Sequence, residues 1–186
     1  MKKITRILSV VLLLAMLFSL CACAEENTEV PQGFLQAENE GADYYFYYPS
    51  DWILDRHDAG MTSAYVSERD FSNVSVTAFT NAGISYPSLV EYAEEYYLAQ
   101  FESNFNQLSV ERNQDQSLKR ENLTVDGKEA IAIKYSADFG GEGYTFRAWL
   151  ISHNGYIYTV LYTAKDGLYE SHLEEASAIA TNLRFR

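Results

Sequence analysis

Beyond residue 33, apolar and polar residues alternate with the two-residue period of β-strands over most of the chain. In one such segment, Val74, Val76 and Ala78 share one face of the extended backbone. Two joins, Asp126-Gly127 and Asn154-Gly155, are residue pairs typical of tight hairpin turns. The pattern predicts strands at 34–38, 43–48, 52–54, 64–67, 74–79, 108–112, 119–125, 130–135, 144–152 and 156–163.

Two stretches instead repeat apolar residues at helical spacing. The first, 88–105, opens with Ser88 and Glu91, the S-x-x-E pattern of a capping box. The second stretch is 168–182. The residues expected to face inward are Val90, Ala93, Tyr97, Phe101 and Phe105 in the first helix, and Tyr169, Leu173, Ala176, Ala180 and Leu183 in the second.

The strand at 156–163 is apolar on both faces, which predicts the architecture. Tyr158 and Val160 share one face, and Ile157 and Leu161 share the other. A sheet with one face in water alternates apolar with polar residues, so this strand is expected to be central and covered on both sides. The fold class is therefore α+β: a three-layer α/β/α sandwich, with a largely antiparallel sheet and one long helix on each face.

The first 23 residues have the pattern of an export signal. Lys2, Lys3 and Arg6 precede an uncharged, mostly apolar run of 13 residues, Ile7 to Ser19. This run is too short for a bilayer core of about 30 Å, which needs about 20 residues.

Leu20-Cys21-Ala22-Cys23 follows directly and resembles a bacterial lipobox, with Cys23 in the lipidated position. Cys21 fits less well, because Leu20 would take the place of the small residue. Both cysteines of the chain lie here, so neither has a partner in the exported domain. The alternative is ordinary signal-peptidase cleavage after Ala22-Cys23-Ala24.

Residues 24–33 are acidic, polar and interrupted by Pro31 and Gly33, which indicates a flexible linker. No comparable change of composition follows, so 34–186 is predicted to be one domain. After residue 23 the chain has 26 acids and eleven Lys or Arg, a net formal charge of −15. This charge excludes a nucleic-acid binder, which needs a basic face, and anionic lipid headgroups would repel the domain.

A Tyr-Pro-x-x-Trp corner follows the first long predicted strand, within Tyr45-Phe46-Tyr47-Tyr48-Pro49-Ser50-Asp51-Trp52. A hairpin at Thr124 to Ala130, another at Asn154 to Tyr158, and a final helix that ends in Asn182-Leu183-Arg184-Phe185 complete the order. In this order residues 34–186 resemble the PsbP-like fold. That fold is shared by the lumenal extrinsic subunit of photosystem II, a Ran-binding nuclear import factor and DcrB-type bacterial lipoproteins.

The resemblance implies a binding module or assembly factor rather than an enzyme. It brings no catalytic residues to this chain. The photosystem subunit acts with calcium and manganese, but no matching ligand motif is present here, so no cofactor is expected.

One loop-like cluster could hold a cation: Asp55, His57 and Asp58 offer carboxylate oxygens and an imidazole. These are too few ligands without others from distant segments, and the alternative is a solvated loop in which Arg56 offsets the acids. His153 is expected at an exposed strand end, and His172 at the edge of the last helix.

Tyr45, Tyr47 and Trp52 are candidates for a binding surface, because exposed aromatic rings bind sugars or protein partners. The alternative places them in the core, with Trp52 folded onto the sheet under a helix.

The sequence therefore predicts a non-catalytic, lipid-anchored module that binds or supports an envelope protein. It would lie on the extracytoplasmic side, on the outer face of the cytoplasmic membrane in a Gram-positive cell. One alternative is an extracytoplasmic domain that binds a small molecule or ion. An unrecognised hydrolase is a third, but no G-x-S-x-G, H-E-x-x-H or Walker A motif is present.

We expect Cys23 to be acylated, because it occupies the lipidated position of the lipobox. Mass spectrometry of the mature N-terminus should show a lipid-modified Cys23. The variant Cys23→Ala should leave the membrane fraction, since several acyl chains on one residue anchor a protein stably. An N-terminus that begins at Glu25 would contradict lipidation.

Overall fold

The computed structural model describes residues 29–58, 60–80, 86–104 and 106–186. The export signal, Cys23 and residues 24–28 of the predicted linker lie outside these ranges. Residues 31–33 form a turn in which the Phe34 amide donates to the Pro31 carbonyl at 3.0 Å. No helix within the described ranges has the length and hydropathy needed to cross a membrane.

An antiparallel sheet forms the centre of the fold, so the predicted α+β class is confirmed. Its strands are β4 (Ile53–Asp58), β5 (Met61–Ser67), β6 (Asp70–Thr80), β7 (Asn106–Val110), β8 (Arg120–Val125), β9 (Lys128–Phe139), β10 (Glu142–His153) and β11 (Tyr156–Lys165). In the described residues the strand order in the sheet is β4-β5-β6-β11-β10-β9-β7, and β8 also pairs with β9.

The two predicted hairpin turns are confirmed. Asp126 and Gly127 join β8 to β9, and Asn154 and Gly155 join β10 to β11, all four with positive φ. This is the backbone of a type I′ turn, which Asn-Gly and Asp-Gly pairs favour.

Strand β11 lies at the centre of the sheet, between β6 and β10. Tyr158, Val160 and Tyr162 are buried on one face, and Ile157 is buried on the other. The prediction from its two apolar faces is therefore confirmed. Tyr156, next to the turn, is exposed.

Helix α1 spans residues 89–104. It consists of an α-helical turn at Leu89–Glu91, a π-helical segment at Tyr92–Tyr97 and an α-helix at Leu98–Asn104. Its predicted N-cap is confirmed, because the Glu91 amide donates to Ser88 Oγ at 3.2 Å.

The π-helical segment changes which residues of α1 face the sheet. A π turn holds more residues than an α turn, so Tyr92 and Leu98 are buried beside Ala93 and Tyr97. Four of the residues predicted to face inward, Val90, Ala93, Tyr97 and Phe101, pack in one hydrophobic cluster, whereas Tyr92 and Leu98 of the same cluster were not predicted. Phe105 lies outside the described residues.

The last helix begins later than predicted. Asp166–Ser171 form a 3₁₀ segment, and helix α2 is Leu173–Asn182. His172 lies between them, with Nε2 3.2 Å from Asp70 Oδ2 and Nδ1 2.8 Å from Glu175 Oε2. These contacts hold the start of α2 against β6.

The core consists of two clusters on opposite faces of the sheet. Along β9, Ala130 and Ala132 belong to the cluster that contains α2 residues, whereas Ile131 and Ile133 belong to the cluster that contains α1 residues. Neighbouring positions of a strand point to opposite faces. Alternate residues of β9 therefore belong to different clusters.

Two short strand pairs lie outside the main sheet, and one of them joins an N-terminal strand to the C-terminal segment. β1 (Phe34–Gln36) pairs with β3 (Tyr47–Pro49), and β2 (Tyr44–Tyr45) pairs with β12 (Arg184–Phe185). The predicted strand at 43–48 is thus divided between two partners, one of which is the C-terminal segment.

His153 is 9% exposed, which corrects the prediction of an exposed strand end. Its ring lies 4.3 Å from the ring of Phe185, because β12 brings the C-terminal segment over the end of β10. Burial lowers the pKa of this imidazole.

Trp52 is expected to be a large contributor to stability. Its side chain is 5% exposed in the α2-side cluster, and its amide donates to the Pro49 carbonyl at 3.0 Å. Trp52→Ala should lower the free energy of unfolding by about 3–5 kcal/mol, as large-to-small core substitutions do. Urea unfolding measures this loss.

Phe71→Ala is the matched control, since Phe71 is 72% exposed. That substitution should change the free energy of unfolding by less than about 0.5 kcal/mol. A loss below about 1 kcal/mol for Trp52→Ala would overturn the core assignment.

Candidate functional site

The structure places the residues proposed for a metal site on strand β4. The Asp55 side chain is exposed, and its Oδ2 accepts a hydrogen bond from Ser63 Oγ at 3.2 Å. The side chains of His57 and Asp58 lie outside the described structure. In the part of the chain that is described, no group of three or more His, Cys, Asp or Glu side chains is arranged so that it could hold a metal ion.

Two of the three aromatic candidates for a binding surface are in the core. Tyr47 is 1% exposed, and the ring of Trp52 packs edge-on against His172 at 6.1 Å. Trp52 belongs to the hydrophobic cluster that contains α2 residues, and strand β3, which contains Tyr47, contacts α2. The half-buried Tyr45 is covered by the Arg186 guanidinium, 4.5 Å above its ring.

A cavity of about 310 Å³ lies where strands β8, β9 and β10 face the 3₁₀ segment Asp166–Ser171. We call it the β8–β10 groove. Its lining includes four basic residues, three acidic residues and one tyrosine. They are Lys119, Arg120, Lys134 and Arg147, Glu111, Glu121 and Glu170, and Tyr169.

Two of these bases lie side by side in the sheet. Lys134 of β9 and Arg147 of β10 occupy directly paired positions, on the face that Ala132 and Trp149 share with α2. Like charges at directly opposed positions of neighbouring strands destabilise a sheet. Favourable packing within the sheet therefore does not explain why two positively charged residues occupy these paired positions.

Two glutamates offset part of this charge. Glu111 binds Lys119 at 2.9 Å and Lys134 at 3.2 Å through its two oxygens. Glu121 Oε2 accepts a hydrogen bond from Arg147 Nη2. The hydrogen bond from Lys119, together with Lys134, holds the pKa of Glu111 below its usual value although partial burial opposes this.

Two hydrogen-bond donors of the groove are buried without acceptors. Among the described residues, neither Tyr169 Oη nor Arg147 Nε makes a hydrogen bond of standard geometry. Burial raises the pKa of the Tyr169 hydroxyl, although the Arg147 guanidinium, which lies close enough to interact with it, lowers it, so the hydroxyl remains protonated at neutral pH. Lys134 Nζ lies 5.0 Å from the centre of the Tyr169 ring.

This arrangement can bind oxygen atoms of a ligand. Unsatisfied buried polar groups are rare in folded proteins and mark sites that need an explanation.

The sequence analysis did not identify Lys134, Arg147 or Tyr169. They lie far apart in sequence and form no motif. The available signal was a single base within each of two apolar strands, Ala130–Tyr135 and Phe146–Ile151.

We expect Tyr169→Phe to raise the free energy of unfolding by about 1 kcal/mol, because it removes a buried hydroxyl that has no partner. Tyr162→Phe is the matched control, since its hydroxyl donates to the Tyr169 carbonyl at 2.9 Å. That variant should lose about 1 kcal/mol. Urea unfolding at pH 7 in Tris chloride compares the two variants. Equal losses in the free energy of unfolding would show that the Tyr169 hydroxyl makes a hydrogen bond in the native protein.

No family model and no curated protein matches the chain. Among solved structures, the chain is similar to cyanobacterial PsbP (CyanoP) from Synechocystis sp. PCC 6803. The identity is 17%, the TM-score is 0.56, and the match covers 83% of this chain and 93% of that one.

Two further structures show the same likeness. A protein of unknown function from Pseudomonas aeruginosa, PA94, is 13% identical with a TM-score of 0.55, over 82% of this chain and 97% of that one. A Bacteroides thetaiotaomicron protein is 18% identical with a TM-score of 0.52, over 84% of this chain and 49% of that one. These identities bear on the fold alone, and they show that the chain has a PsbP-like fold.

Proposed function

We propose that this protein is a non-catalytic binding module of the bacterial cell envelope. Acylation of Cys23 would hold it on the extracytoplasmic side of a membrane, as a lipoprotein of the DcrB type. The export signal and the lipobox support this location, and the PsbP-like fold fits a binding module.

The β8–β10 groove is the observation that carries the proposal. It gathers paired bases, their glutamate partners and two buried donors without acceptors at one point of the sheet. Such an arrangement destabilises the empty fold, and a bound component would offset that cost.

The scaffold of the groove supports the same proposal. The two buried clusters favour a three-layer sandwich in which α1 covers one face of the sheet and α2 covers the other. Close packing on both faces holds β9 and β10 rigid, and a binding site needs rigid supports.

The size of the groove favours a small ligand over a protein segment. Its volume of about 310 Å³ lies at the lower end of the range for small-molecule sites. An extracytoplasmic domain that binds a small molecule or ion is thus the form of the proposal that the geometry favours. An envelope protein that contacts the rim is the second candidate.

The experiment is crosslinking in intact cells. A photo-reactive residue at the exposed Glu170, on the rim of the groove, should give an adduct whose mass identifies a small molecule or a protein. The same residue at the exposed Glu102, on helix α1, is the control.

An adduct at position 170 and none at 102 is the expected result. No adduct at 170, or equal adducts at both positions, would contradict binding at the groove. Fractionation of Cys23→Ala in the same cells tests the membrane location separately.

A further inference from the structure

We infer that the β8–β10 groove binds an oxyanion, a phosphate or carboxylate group, through Arg147, Lys134 and Tyr169. This inference rests on the proposed binding function and names the chemical class of the ligand.

The distribution of charge is the first argument. The chain beyond residue 23 has a net formal charge of −15 and eleven Lys or Arg residues. Four of the eleven line this one cavity, against three glutamates. The groove is therefore locally positive on an acidic domain, which favours a negative ligand and disfavours a cation.

The unsatisfied atoms give the second argument, because both are donors. The Arg147 Nε–H and the Tyr169 O–H can both donate, and neither makes a hydrogen bond of standard geometry among the described residues, although the Arg147 guanidinium lies close to the Tyr169 hydroxyl. A cation or an apolar ligand has no acceptor to offer. Phosphate and carboxylate oxygens can accept both hydrogen bonds.

The guanidinium of Arg147 gives the third argument. Nε and Nη2 form one edge of this group, and that edge can bind two oxygens of an oxyanion at once. Glu121 occupies Nη2 and leaves Nε without a partner. Half of this bidentate edge is thus buried without a protein acceptor.

Glu121 can leave this site at little cost. Its side chain is 62% exposed, and ion pairs with such exposure contribute little to stability. A ligand oxyanion can therefore take its place on Arg147, and Lys134 beside it supplies a second charge.

The test uses the full chain in detergent, with calorimetric titration at constant ionic strength in Tris chloride. The probes are inorganic phosphate, acetate, and glycerophosphoglycerol as the soluble headgroup of an anionic lipid. Saturable one-to-one binding of at least one probe is expected. Tighter binding of glycerophosphoglycerol than of phosphate would identify a headgroup as the source, and the reverse would identify a free anion; either result supports the inference.

Three variants assign the binding to the groove. Arg147→Lys and Tyr169→Phe should each weaken binding about tenfold, the effect of losing one charge-assisted hydrogen bond. Glu121→Gln should strengthen binding, because it removes the competing carboxylate. Tyr169→Phe is expected to be more stable than the native chain, so its loss of affinity would not reflect unfolding.

Lys165→Gln is the matched control, because Lys165 pairs with Glu142 outside the groove. It should leave the affinity unchanged. Two results would overturn the inference: no saturable binding of any probe to the native chain and Glu121→Gln, or equal weakening by Lys165→Gln and Arg147→Lys. Neither result bears on the crosslinking at position 170, which tests the proposed function.

Discussion

Strand β11 presents apolar side chains to both faces of the sheet, so neither face can remain in water. Tyr158, Val160 and Tyr162 require cover on one side, and Ile157 requires it on the other. The burial of large side chains is the main favourable term in folding. Residues of β11 enter both hydrophobic clusters, and so do residues of β9 and β10, on which the groove is built.

The features that the sequence predicted well depend on local chemistry. Asp126-Gly127 and Asn154-Gly155 form their turns because these residues tolerate positive φ, and Ser88 caps α1 through its own side chain. The features it did not predict depend on distant residues. His153 is buried by Phe185 of β12. The sequence near residue 153 gives no sign of this contact. The π-helical segment likewise departs from the regular period on which the helix prediction relied.

The candidate site was less predictable than the fold, for the same physical reason. Sequence motifs require residues at fixed spacing, whereas Lys134, Arg147 and Tyr169 meet only through the register of β9 and β10 and the path of the chain after β11. The aromatic candidates illustrate the opposite error. Tyr47 and Trp52 were predicted as candidates because their segment is rich in aromatic residues, but both side chains are buried. The unusual residues were the bases in apolar strands.

The pairing of β12 with β2 has a consequence for how the chain folds as it emerges. The Arg186 amide donates to the Asp43 carbonyl, and the Tyr158 hydroxyl donates to the Asp43 carboxylate. Contacts across such long stretches of sequence form late and slow folding. Strand β2 therefore cannot complete its pairing until residues 184–186 have been synthesised. Strands β1 and β3 lie close together in the sequence and can pair early, so the domain closes around β2 only after its opening segment has already formed.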